Sequence, residues 1–207
     1  MGYDVYGLNP KINHKVEIPT PPWDTTFKTN NDLPYKELSE EERKERDEVK
    51  EKYFSACREN EEKNKGVYFR NNVWWWRPLW NYVNNVCYFL TGEDYGGGGH
   101  NSGYIISKSK SLKISKVLEE ELKSGRTKKY EEEYNNFIES LPLEECEICE
   151  GTGKRVKPPN RGKGDIHCNG CDGKGETENY LSHYPFDEEN VREFLLFCKE
   201  SGGFQIC

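Results

Sequence analysis

CEICEGTGKR (146–155) and CNGCDGKGET (168–177) decide how this chain is organised. Each opens with the unit C-x-x-C-x-G-x-G, and 18 residues lie between Cys149 and Cys168. Two close cysteine pairs, brought together by a loop, supply the four soft tetrahedral ligands that zinc favours. Cys146, Cys149, Cys168 and Cys171 are therefore expected to hold one zinc ion per chain. Gly151, Gly153, Gly173 and Gly175 let the backbone turn tightly beside each pair. An all-thiolate shell leaves no position open for water, so the ion is read as structural and not catalytic. His167 adjoins Cys168 but is read as a neighbour, because four thiolates already fill the shell. The metal substitutes for an apolar core in a segment too short and polar to build one. The chain thus divides into an insert, 144–178, and an aromatic-rich body formed by 1–143 and 179–207.

The paired units resemble the cysteine-rich region of DnaJ-type co-chaperones, in which four such copies hold two zinc ions. Two copies imply one ion here. The resemblance spans 146–175 and extends to no His-Pro-Asp tripeptide, so it implies the metal-site geometry and not the chaperone function.

Composition bounds the body. Hydrophobic residues make up 33% of the 207 residues and charged residues 32%, a balance approaching that of disordered chains. The 13% of aromatic residues argues for a folded core built on Trp, Tyr and Phe. A net charge of −7 disfavours indiscriminate binding to nucleic acid, which needs a positive field. No apolar run resembles a secretory signal or a membrane span, and the eight cysteines then fit a reducing cytoplasm. Cys57, Cys87 and Cys198 are expected as small buried hydrophobes, and Cys207 as exposed.

Local patterns predict a helix-dominated α+β single domain with a few short strands and the inserted zinc hairpin. Residues 1–35 read as an extended arm with one strand at Tyr3–Tyr6. Ser39 to Glu42 form a capping box for a charged helix running to about Asn60, with Val49, Tyr53, Phe54 and Cys57 as its narrow apolar stripe. In GVYFRNNVWWWRPLWNYVNNVCYFL (66–90), helical spacing begins at Pro78, and a strand at Trp74–Trp76 would put Trp74 and Trp76 on one face. The four glycines of TGEDYGGGGHNSGYIIS (91–107) read as a mobile loop with no phosphate-loop pattern. A helical hairpin follows, its first helix ended by Gly125 and its second capped by Thr127, with Tyr130, Tyr134, Phe137, Ile138 and Leu141 facing inward. Asp187 caps the last helix, and Phe204–Cys207 reads as a final strand.

The segments GYDVYG, GVYFRNNVWWWRPLW, SGRTKKYEEEY, YPFDEENVREF and SGGFQIC together resemble a family of small phage and bacterial proteins. That resemblance implies a phage or bacterial setting and residence in the cytoplasm, which is the host's if the chain is phage-encoded. It implies no reaction.

Three functional readings follow. The first is a non-enzymatic protein that binds or sequesters a small nucleotide-like ligand. Arg70, Trp74, Trp76, Arg77, Asp94, His100 and Asn101 are its candidate contacts, offering aromatic faces, planar cations and hydrogen-bonding groups near the glycine run. The second is a protein or nucleic-acid interaction module, with Lys154, Arg155, Lys157, Arg161 and Lys163 as a basic finger between the cysteine pairs. The third is an enzyme with His100 as general base. The chain carries no G-x-S-x-G, no H-E-x-x-H and no recognisable nucleophilic cysteine, which weighs against the third.

Overall fold

Alternation in GYDVYG makes β1 (Gly2–Gly7), whose Tyr3 and Val5 point into the core while Tyr6 faces solvent. The computed structural model describes residues 2–24 and 35–207; the part of the expected arm at 25–34 lies outside the described residues. β1 pairs antiparallel with β2 (Tyr68–Asn72), placing Val5 opposite Phe69. On its other side it pairs antiparallel with the last strand, β8 (Phe204–Ile206), which in turn pairs with β3 (Tyr104–Ile106). The sheet order is β2-β1-β8-β3, so the end of the chain occupies a central position. Tyr3, Val5, Phe69, Ile106, Phe204 and Ile206 form its buried face, whereas Ile105 is exposed on the other. This one-sided burial is the normal habit of an antiparallel sheet packed under helices.

Six α-helices lie among the described residues: α1 (Glu40–Lys63), α2 (Val73–Val86), α3 (Gly92–Gly98), α4 (Lys108–Lys123), α5 (Arg126–Glu139) and α6 (Glu188–Glu200). The fold is a helix-dominated α+β domain. α2 and α6 cover the buried sheet face through rings: Tyr3 stacks on Trp76 at 5.2 Å, Phe69 meets Phe194 at 5.2 Å, and Phe194 meets Phe204 at 5.7 Å. α4 packs along α6, where the Ser111 hydroxyl donates to the Cys198 carbonyl at 2.7 Å. Burial pushes the Cys87 thiol up to about 12 and the Cys198 thiol well above its ordinary value, so both remain neutral core residues. No helix is long and apolar enough to cross a membrane.

Several local expectations are corrected by packing. The tryptophan run is helical: α2 starts five residues before Pro78, at Val73, because the Asn72 side chain accepts from the Trp74 and Trp75 amides and caps it. Helical periodicity then separates Trp74 from Trp76 and aligns Trp76 with Trp80. The glycine run is helical and not a loop: Gly96–Gly98 end α3 and Gly99 caps it, after a start made by a reciprocal Thr91–Asp94 capping box. Its glycines are there for close approach: a Cβ on Gly98 would lie 2.0 Å from the Trp80 ring. Thr127 does not cap α5. Gly125, at φ +75°, occupies that position, and Thr127 is buried with its hydroxyl 3.0 Å from that of Tyr82.

The stripe on α1 does not reach the main core. Val49, Tyr53 and Cys57 are half-buried and Phe54 is exposed, with Trp23 packing on Tyr53 at 5.1 Å instead. Phe137 is likewise exposed on α5. Cys207 is half-buried, because its backbone pairs with that of Asp4. Ser39 and Glu42 do form the expected capping box, and the Asp187 side chain caps α6 by accepting from the Glu189 amide.

Between α5 and α6 the chain makes four two-residue strands. β4 (Glu144–Glu145) pairs with β7 (Glu176–Thr177) where the cysteine-bearing segment leaves and rejoins the rest, and β5 (Lys154–Arg155) pairs with β6 (Ile166–His167) farther out.

Candidate metal centre and ligand groove

The two cysteine units fold into matching knuckles. Glu150 and Asp172, each following its second cysteine, share φ +49°, and the next residues, Gly151 and Gly173, sit at +76° and +75°. The knuckles interlock: the Cys168 amide donates to the Gly153 carbonyl at 3.0 Å, and the Cys146 amide to the Gly175 carbonyl at 2.8 Å. A Cβ on Gly153 would lie 2.2 Å from the Gly173 carbonyl oxygen, which explains the second glycine of the repeated unit.

This arrangement brings Cys146, Cys149, Cys168 and Cys171 together, buried, with all four Sγ atoms within 4.8 Å of one another. Cys146 and Cys168 are 3.9 Å apart, and Cys149 and Cys171 are 3.7 Å apart. A tetrahedral zinc with bonds of about 2.3 Å places its sulfurs about 3.8 Å apart, so the donor set fits such an ion. The Gly153 and Gly175 amides donate to Cys149 Sγ and Cys171 Sγ at 3.3 and 3.2 Å, bonds that favour thiolate sulfur. Burial pushes the Cys149 thiol up. Burial acts on Cys168 in the same sense, but the amides of Gly170 and Cys171 and the neighbouring thiols outweigh it and lower that group. Metal-thiolate bonds displace the remaining protons when a cation enters. His167 is exposed and directs Nε2 to Asp172 Oδ1 at 3.1 Å, away from a ligand role.

The basic finger is only partly a free surface. Lys154, Lys157, Arg161 and Lys163 reach solvent to differing degrees, and Arg161 pairs with Glu147 at 3.1 Å. Arg155 is 8% exposed and turns inward, donating to Asn169 Oδ1 at 2.9 Å and to the Asn160 and Val156 carbonyls. It holds the loop between the knuckles.

The candidate ligand contacts of the body fall in several places. Arg70 lies on the edge strand β2 beside Asp4, at 3.8 Å. Trp74 packs against Tyr184 at 4.8 Å and also meets His183 and Tyr180. Asn101 donates to the Gly2 carbonyl. Asp94 is 1% exposed and accepts from Lys110 Nζ at 2.7 Å, from the Tyr104 hydroxyl, and from the Thr91 amide and hydroxyl. Burial pushes its carboxyl up, but these donors outweigh that and hold it below the usual aspartate range. Those bonds make Asp94 an anchor of α3, and His100 is not among its hydrogen-bond partners.

Trp76, Arg77 and His100 do meet, around a groove of about 270 Å³ whose remaining lining is Trp80, Asn81, Tyr95, Gly96 and Gly99. Asn81, Trp80 and Tyr95 were not among the sequence candidates. The i+3 and i+4 offsets of Trp80 and Asn81 from Arg77 on α2, and a helical reading of the glycine run, are the signals that would have pointed to them. The chain matches no protein-family model, no curated protein and no solved structure, so the geometry of these two sites carries the functional reading.

Proposed function

We propose that this is a non-enzymatic protein in which a single structural zinc ion orders the insert and the body holds a small nucleotide-like ligand in the groove beside α3. The assignment of zinc follows the donor set, four buried thiols within 4.8 Å of one another with two pairs near the spacing of about 3.8 Å in a tetrahedral site, and agrees with the resemblance of the repeated C-x-x-C-x-G-x-G unit to DnaJ-type zinc modules. The resemblance of the body segments to small phage and bacterial proteins makes the proposed setting a phage-infected or bacterial cytoplasm.

One observation carries the ligand reading. Tyr95 and His100 flank the groove, and among the described residues neither ring packs on another aromatic ring, whereas Trp76 and Trp80 of its floor stack on each other. Tyr95 is 52% exposed. Aromatic rings that stack on no other ring and border an apolar groove are how proteins hold heterocycles. The test is calorimetry of the zinc-loaded chain against nucleosides and nucleotides. Binding at one site per chain, weakened by Tyr95→Ala, supports the reading; no binding across the panel refutes it.

A second reading is an anion-binding role for the insert, favoured by the exposure of Lys154, Lys157 and Lys163 on one loop. Its test is retention of a polyanionic partner by the intact chain, lost on neutralising those three lysines and steeply salt-dependent.

A further inference from the structure

The hydrogen bonds already made around the groove determine which ligand it can take. The backbone carbonyls around it are engaged, that of Gly96 by the Gly99 amide. Trp80 Nε1 donates to the Tyr95 carbonyl at 3.1 Å, Trp76 Nε1 to the Gly98 carbonyl at 2.7 Å, and the Tyr3 hydroxyl to the Gly99 carbonyl at 2.6 Å. These bonds also silence both indole N–H groups, leaving an apolar floor. The Asn81 amide oxygen accepts from the Tyr95 hydroxyl at 3.2 Å.

The donors are not exhausted. Arg77 uses Nη1 on the Tyr184 hydroxyl, at 3.0 Å, and its Cζ sits 5.7 Å from the centre of that ring. The Tyr3 hydroxyl is a further neighbour. These contacts steady the guanidinium and leave it N–H groups to spare, since a guanidinium carries five and Arg77 forms no salt bridge with any described residue. Asn81 Nδ2 donates to no described residue. The lining contains no Asp or Glu. A groove with a cationic donor to spare, engaged carbonyls and no carboxylate favours an acceptor-rich, negatively charged ligand.

Size narrows the class. At about 270 Å³ the groove lies just below the usual small-molecule range of roughly 300–1,000 Å³, and one arginine reaches it. That accommodates one heterocycle and one anionic group, not the two bases and two phosphates of a dinucleotide.

We infer that the groove is a nucleoside monophosphate site, with the base between Tyr95 and His100 and the phosphate on Arg77 and Asn81. This rests on the small-ligand reading above and adds ligand charge, size and orientation to it.

The experiment is calorimetry of the zinc-loaded full chain with adenosine 5′-monophosphate, uridine 5′-monophosphate, adenosine, a cyclic dinucleotide and inorganic phosphate. Arg77→Gln and Arg77→Lys are run beside the parent, and melting curves check that both variants fold. The expected result is monophosphate binding at one site per chain, with adenosine weaker by about ten- to a hundredfold, the effect of losing a charge-assisted bond. Arg77→Gln should erase that preference, and Arg77→Lys should retain part of it. Adenosine binding as tightly as its monophosphate, a dinucleotide binding more tightly than either, or an unchanged preference in a folded Arg77→Gln protein would overturn the inference while leaving a ligand groove in place. Silence from every compound would overturn the groove reading along with it.

Discussion

Trp76 and Trp80 lie one helical turn apart on α2 and stack with ring centroids 5.5 Å apart and planes within 8°. Trp76 is fully buried and also stacks on Tyr3 of β1, so this pair joins sheet, helix and groove floor. Trp76→Ala should lower stability by about 3–5 kcal/mol, the range for truncating a large buried ring. Chemical denaturation followed by circular dichroism measures it. A loss below about 1 kcal/mol, small for a core truncation, would mean that the stack is not central to the fold.

Gly98→Ala tests the closest approach in the same region. Its Cβ would fall 2.0 Å from a Trp80 ring atom, so the ring or α3 must shift. Overpacking of this kind costs about 1–3 kcal/mol. Indole fluorescence should change with it, because the ring concerned is the reporter. Gly92→Ala, where nothing lies within 4 Å, is the control and should be neutral or slightly stabilising.

Asp94→Asn removes a buried charge that caps α3 and receives Lys110. Loss of charge-assisted bonds, with the cap weakened, should cost about 2–3 kcal/mol at neutral pH. The sign of the pH dependence follows from a folded-state value below the unfolded one. The stabilisation is complete above the ordinary aspartate value of about 3.9 and fades as pH falls through the lower folded-state value. The gap between parent and mutant stability should therefore narrow on acidification, and a gap that widened would contradict the assigned pair.

Cys146→Ser should abolish stoichiometric zinc and disorder 146–175, while the helices and sheet survive because they bury their own apolar faces. Elemental analysis reads the first effect. Unchanged zinc content would exclude Cys146 as a ligand, and complete loss of helical circular dichroism would show that the body depends on the metal.

Arg155 and Lys157 should separate structure from surface in the insert. Arg155→Gln removes bonds to Asn169, Asn160 and Val156 and should weaken zinc retention against a competing chelator. Lys157→Gln, at an exposed position, should leave retention unchanged. Equal effects would contradict the inward role of Arg155.

The cysteine spacing makes the candidate metal centre legible in the sequence, because two matching knuckles specify their own turns, glycines and thiols within a few residues. Capping at Ser39 and Asp187 and the strands at both ends are legible for the same reason: each signal acts over one turn or one pleat. The candidate groove of the body is not legible in this way. Arg70, Trp74 and Asn101 carry suitable chemistry, yet the sheet edge, the Tyr184 contact and the Gly2 carbonyl hold them elsewhere.

Composition, periodicity and short-range spacing are enough to set the class of the fold, the four clustered cysteines and the reliance on aromatic packing. Long-range packing makes the glycine run a helix, turns Trp76 and Trp80 to one face, and brings Arg77 to Tyr95 and His100. A glycine helix has little intrinsic stability. It exists here because Asp94 caps it, Lys110 pairs with that carboxylate, and Tyr104 and Trp80 press against its Cβ-free face. Trp80 lies eighteen residues before Gly98, the glycine it presses on, beyond the reach of any local pattern.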